Sequence, residues 1–389
     1  MLNWENNFKP RPDGRHTCSL AAWMHALRDI KPNHAFTEDC CQSPEKFAEW
    51  QKGLKDKLVK LLKMPTFTPQ PDPVLLTSEQ RDGYTLERWE FYPDDYTAIP
   101  VLILRPDNIT EPVPGVLCCP GSAHPKELLA GESTGTNPNM QSYGFPERNC
   151  QALHCLRAGY IAAAFDNPGT GELAELSASG KETQWETREK LVQGYIEGGT
   201  TYLGMSVFQK LCFLKYFKNM PGVDSSRLGI MGHSLGTEAA LCTALLSDDI
   251  TVYIHNDFLC EQRNRYVAIT ELEKIDDGGN WHQVPGQWAE MGLPDMLAAV
   301  APKYLTINEG GGEEFLNKVR RSYEFNHASD RLKISYYPRY QDKEKLQIPM
   351  PDHGLSLETY YIDYCSVDVP DHSFRPEVSL AMLKKAFGK

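Results

Sequence analysis

Gly232-His233-Ser234-Leu235-Gly236 is the stretch best suited to chemistry, since it satisfies G-x-S-x-G, a spacing that can hold a serine on a sharp turn with its hydroxyl bare. The apolar run Leu228-Gly229-Ile230-Met231 precedes it and TEAALCTALL (237–246) follows, so the turn falls between a strand and a helix. Such a turn drives the serine into a backbone conformation that side chains ordinarily avoid, and the flanking glycines let strand and helix approach closely. The hydroxyl then stands at a helix N-terminus, where aligned amide dipoles stabilise developing negative charge. That placement suits nucleophilic attack on an acyl carbon. The competing reading keeps the turn and makes Ser234 only a helix cap.

A serine nucleophile needs a base, and on an elbow of this kind the chain order is serine, acid, histidine. His372, in VPDHSF just ahead of the helical segment PEVSLAMLKKAF, is the preferred base, and His353 in PDHGL is the second candidate. His233 is directed away from its neighbour and reads as a packing residue. For the acid, KYLTIN (303–308) runs into Glu309-Gly310-Gly311-Gly312-Glu313-Glu314; Glu313 is preferred, Glu309 is second, and Asp257 after TVYIHN is third. A buried carboxylate in this role fixes the imidazole tautomer and stabilises its cation. Alternatively, Glu313 and Glu314 are charges on a helix's first turn, where the dipole favours them. The oxyanion needs N–H donors: Leu235, as the residue after the nucleophile, and Ser122 or Ala123 from the loop Pro120-Gly121-Ser122-Ala123-His124. Of these two Ser122 is preferred; a plain glycine turn is the alternative.

The elements that must position these residues are legible as a change of period along the chain. Residues 19–30 and 43–63 carry apolar residues at helical spacing, with Ser43-Pro44 as a helix start, and the proline-rich stretch 65–73 ends that pattern. From 84 to 106 two strands flank the turn at Pro93-Asp94-Asp95 and predict an antiparallel pair. Short apolar strands at 115–119, 160–165, 228–232, 251–255, 303–308 and 333–337 then alternate with helical stretches such as 205–219 and 237–247, which predicts a mostly parallel sheet with helices on both faces. Excursions at 125–150, 260–300 and 338–371 interrupt this alternation and are placed to shape a pocket.

Composition narrows the class. With 389 residues, 41% hydrophobic and 24% charged, the chain can bury a large core. A formal net charge of −12 disfavours nucleic acid as a partner. No apolar run approaches the roughly 18 to 20 residues that span a bilayer, and the polar start MLNWENNFKPRPDGRH lacks a signal-peptide layout, so a cytoplasmic location without membrane partners is expected. The eleven cysteines lack metal-ligand spacing, and several sit in apolar runs; they read as reduced thiols, with no metal and no cofactor.

The segments LCCPGSAHPKELLAGE, AFDNPGTGE, GHSLGTEAAL, NDFLC and APK (301–303) together resemble the acetyl xylan esterase and dienelactone hydrolase-like branch of the α/β-hydrolases, over roughly residues 80–389. The resemblance implies the α/β-hydrolase fold, with residues 1–72 as a helical extension and linker and 73–389 as the catalytic domain. It also implies Ser234 as nucleophile, His372 as base and Glu313 where many relatives place an aspartate. The expected activity is hydrolysis of a carboxylic ester, by deacetylation of a small-molecule or oligosaccharide ester. Hydrolysis of lactones or other non-sugar esters and a catalytically silent binding scaffold stay open. For a sugar ester, Trp281, Trp288, Tyr143 and Phe145 are candidates for an apolar floor, though aromatics serve cores equally well.

Overall fold

The computed structural model describes residues 11–15, 22, 23, 26, 30–132, 146–174, 184–261, 280–342 and 356–388. Nine strands carry the architecture: β1 (Val74–Arg81), β2 (Tyr84–Phe91), β3 (Ile99–Pro106), β4 (Val113–Cys119), β5 (Ile161–Ala164), β6 (Val223–His233), β7 (Ile250–Asn256), β8 (Tyr304–Ile307) and β9 (Leu332–Ile334). They form one sheet in the order β1-β2-β3-β5-β4-β6-β7-β8-β9. The first three strands run antiparallel to their neighbours, and every pairing from β5 through β9 is parallel.

Alternate residues of the central strands face opposite layers, as a pleated backbone dictates. On β4, Leu117 and Cys119 join the larger core, whereas Val116 and Cys118 join a second core on the other face. The helices used below are α1 (Pro44–Leu62), α2 (Gln184–Glu197), α3 (Tyr202–Phe217), α4 (Gly236–Leu246), α5 (Glu313–Phe325) and α6 (Pro376–Phe387). Residues of α1, α3, α4 and α5 fill the larger core, and α6 packs with Gln151–Arg157 into the second. This is the α/β-hydrolase architecture.

The segment read as a helix start does open α1: the Ser43 side chain accepts a hydrogen bond from Lys46 N, and Pro44 needs no amide partner at the first helical position. Phe47, Leu54, Leu58 and Leu62 of α1 are buried in the same core as the sheet. Leu62 O accepts from Thr201 Oγ1 at 3.0 Å, and a Cβ on Gly204 would lie 1.9 Å from that oxygen, so only glycine lets α3 approach α1 this closely. One strand went unread: β1 begins at Val74, directly after the proline-rich stretch, and pairs with β2 while nearly all its side chains stay exposed. Most of the helical segment predicted at 19–30, and residues 262–279 and 343–355 of the two later excursions, lie outside the described residues. The ten described cysteines are all free thiols. No helix among the described residues is long and apolar enough to cross a membrane.

Candidate active site

β6 ends at His233 and α4 begins at Gly236, leaving Ser234 in the turn with φ = +50°, in the left-handed region. Two features hold it there. Ser234 N donates to Asn256 O at the end of β7 (3.2 Å), and Ser234 O accepts from Thr237 N (2.8 Å) and Thr237 Oγ1 (2.6 Å). The glycines two residues away on each side permit the crowding: a Cβ on Gly232 would meet Gly236 O at 2.4 Å, and one on Gly236 would meet Cys119 O at 2.4 Å. Ser234 is only partly buried and lines a cavity of about 630 Å³.

His372 lines the same cavity, and its Nδ1 lies 2.6 Å from Glu309 Oε2. Glu309 is wholly buried just beyond β8, and its Oε1 accepts from Ser373 N (3.2 Å) and Asn256 Nδ2 (3.4 Å). With Nδ1 spent on the carboxylate, Nε2 is the nitrogen left for chemistry. The order of the carboxylates is thereby reversed. Gly310 (φ = +69°) and Gly311 (φ = +138°) turn the chain away after Glu309, Gly312 caps α5, and Glu313 becomes its first residue. There Glu313 pairs with Arg320 Nη1 (2.8 Å) and Tyr336 OH, not with His372. The carboxylate beside His372 is thus Glu309, where Glu313 was expected; the first-turn reading of Glu313 describes its position. Asp257, the third candidate, lines the cavity near His372. His353 lies outside the described residues.

Three imidazoles stand in a row, His124 to His233 at 5.6 Å and His233 to His372 at 4.7 Å between ring centroids. Burial, helped by the charge of His372, drives His124 down to about 4 and His233 well below the usual histidine range. Burial lowers His372 too, but the charge and hydrogen bond of Glu309, with Asp257 adding, outweigh it and lift His372 to about 9. A proton entering the row therefore rests on His372. Burial raises Asp257 to about 7, with His372 pulling it down and Glu309 pushing it up. Since a base must be neutral to act, kcat/KM is expected to climb about tenfold per pH unit between pH 6 and 8 and to level near 9, as read from a pH–rate profile. The sign for stability is opposite: a histidine whose folded pKa exceeds its unfolded value stabilises fully below about 6.5, and that contribution is lost as pH rises through about 9.

Leu235 and Ser122, the expected oxyanion donors, both line the cavity. The Leu235 amide is at the N-terminal end of α4, where N–H groups lack intrahelical acceptors. The loop bearing Ser122 is fixed by a residue that sequence reasoning missed: Arg188 of α2, fully buried, donates from Nη2 to Ser122 O at 2.6 Å and to Thr170 Oγ1. Asn256 was missed as well: the segment NDFLC that it opens carried the resemblance, but no role was assigned to its first residue. Its Nδ2 reaches Ser373 O (3.0 Å) and Glu309, while its Oδ1 accepts from Arg375 N (2.7 Å) and Asn308 Nδ2 (3.0 Å). Trp281 and Trp288 line the cavity, whereas Tyr143 and Phe145 lie outside the described residues. Ligand atoms of His233, Glu309 and His372 fall within 4.8 Å of one another, a spacing a cation would accept. Of these groups, Glu309 is bonded to His372 Nδ1, and His233 Nδ1 faces Asn256 at 3.2–3.3 Å.

A family model described as "Abhydrolase family" (Abhydrolase_7) matches residues 3–385. The crystal structure of a protein described as a "putative acetyl xylan esterase", from Bacteroides fragilis NCTC 9343, is similar over 96% of this chain and 96% of that one, with 34% identity and a TM-score of 0.87. A glucuronoyl esterase from Solibacter usitatus shares the fold at 11% identity and a TM-score of 0.57, over 98% of this chain and 97% of that one. A Bacillus subtilis (strain 168) protein named "Putative hydrolase YtaP" is 24% identical over 233 residues, covering 59% of this chain and 70% of that protein.

Proposed function

The chain belongs to the Abhydrolase family, and from that premise we propose that it is a serine carboxylic ester hydrolase that removes acetyl groups from acetylated carbohydrate. The observation that carries the reading is one cavity holding both a serine in a left-handed turn and a histidine whose far nitrogen is bonded to a buried carboxylate. In the proposed reaction Ser234 Oγ attacks the ester carbonyl carbon while His372 Nε2 takes its proton, and the amides of Leu235 and Ser122 receive the oxyanion. The carbon–oxygen bond to the alcohol then breaks, with His372 returning the proton to the leaving alkoxide. Water attacks the acyl-serine, again losing a proton to His372, and the carboxylic acid departs as Ser234 regains its hydroxyl.

The acetyl-carbohydrate part draws support from the extent of similarity to the Bacteroides fragilis protein. It also fits a cavity whose described lining has carboxylates at Asp257, Glu238 and Glu261 and no lysine or arginine, which suits an uncharged substrate rich in hydroxyls. The test is labelling with a fluorophosphonate followed by peptide mapping, alongside a panel of acetylated xylo-oligosaccharides, aryl acetates and lactones. Label on Ser234 with turnover of the sugar acetates is the expected result. Label elsewhere removes Ser234 from the chemistry, and turnover confined to lactones replaces the substrate class.

A further inference from the structure

The cavity contains a second carboxylate–imidazole pair, which the acyl transfer described above does not use. Glu238 lies on α4, four residues beyond Ser234, and its Oε1 is 2.6 Å from His282 Nδ1; both side chains line the cavity that holds Ser234 and His372. His282 belongs to a short turn, Asn280–His282, which Glu189 of α2 anchors by accepting from Asn280 N (3.1 Å) and Asn280 Nδ2 (2.6 Å). Beside it, the Trp281 ring stacks on Trp185 at 5.6 Å and 26°, and the Arg188 guanidinium sits 4.9 Å and 5.0 Å from the two rings. Both tryptophans line the cavity.

Four buried polar atoms in this group have no hydrogen-bond partner among the described residues: the acceptor Glu238 Oε2 and the donors Trp281 Nε1, Arg188 Nε and Arg188 Nη1, of which the two guanidinium nitrogens belong to the cation lying against the indole rings. Buried polar atoms in folded proteins are nearly always paired, so an orphaned acceptor and an orphaned donor on residues lining one cavity need an explanation. A hydroxyl supplies both complements at once, because it donates and accepts. A sugar ring also offers apolar C–H faces for indole surfaces and a rim of hydroxyls for a carboxylate and an imidazole.

We infer that Glu238, Trp281 and His282 form the subsite that receives the hydroxylated ring of the substrate's alcohol half. The inference rests on the esterase reading above and specifies how that site selects its esters. These residues bind and orient; the bond-making steps stay with Ser234 and His372.

The test compares an acetylated xylobiose with 4-nitrophenyl acetate, an ester whose alcohol half lacks a sugar ring. Glu238→Gln is expected to raise KM for the sugar ester at least about tenfold more than it does for the aryl ester, with kcat altered far less, because a site built to bind hydroxyls discriminates through them. Equal losses on both esters would mean that Glu238 only holds the elbow helix in place, and would overturn the inference. His282→Asn, on a turn outside the helix, is expected to give the same split and decides the matter should the first variant fold poorly. Separately, xylobiose is titrated into Ser234→Ala protein while tryptophan emission is followed; a saturable change that Glu238→Gln weakens about tenfold or more is expected on the same grounds. No saturable response overturns the subsite. Cleavage of the aryl ester without the sugar ester removes the sugar specificity and the subsite but leaves the esterase. Cleavage of neither removes the esterase reading, and the xylobiose titration then judges the subsite alone.

Discussion

Ser234→Ala is expected to lower kcat by about four orders of magnitude or more on any ester the protein cleaves, the scale at which serine hydrolases lose turnover without their nucleophile. Its melting curve should hardly move. The left-handed backbone at this position, with φ = +50°, is as awkward for alanine as for serine, so the strain cancels in the comparison. Ser234→Gly separates the two contributions. It should be equally inactive, yet more stable by about 0.5–1 kcal/mol, because glycine occupies that region without a Cβ penalty. Steady-state turnover and thermal melting on the three proteins check both halves. Retained turnover in either variant would detach the hydroxyl from the chemistry.

The second large effect separates two glutamates four residues apart. Glu309→Gln should reduce kcat/KM by about 10³–10⁴-fold, since an amide at Nδ1 neither enforces the productive tautomer nor stabilises the imidazolium. It should also move the limb of the pH profile downward, because Glu309 is the main influence holding His372 at about 9 against burial. Glu313→Gln removes a partly exposed pairing with Arg320 and should change kcat/KM by less than about threefold, the modest scale of such ion pairs. A large loss in the Glu313 variant with little in the Glu309 variant would reverse the assignment drawn from the geometry.

The contrast between these glutamates shows what a sequence can carry. The elbow was legible because its requirements are local: a strand, a helix, and glycines where Cβ atoms would strike backbone oxygens at 2.4 Å. The start of α1 was legible for the same reason, since Ser43 and Pro44 act within one turn. Glu309 and Glu313 differ instead by what two glycines do between them, and the backbone angles at Gly310 and Gly311 are not written in any neighbouring residue type. β1 escaped notice because VLLTSEQR does not alternate: its residues are exposed on both faces, so no buried side imposes a period of two. Arg188 and Asn256 were out of reach for a third reason. Each acts through contacts with residues tens of positions away, and neither spacing nor neighbours hint at the partner.

Asn256 has a consequence of its own. A single carboxamide at the end of β7 ties together Glu309 after β8 and Ser373 and Arg375 ahead of α6, while the main-chain carbonyl oxygen of the same residue accepts from the Ser234 amide. Ser234, Glu309 and the segment carrying His372 thus answer to one fastening, and a disturbance at any strand exit is shared by all three. The parts of the wall that come from the later excursions, Trp281, Trp288 and Tyr361 among them, lie outside this fastening, and there the molecule has latitude to change what it accepts while its working parts stay aligned.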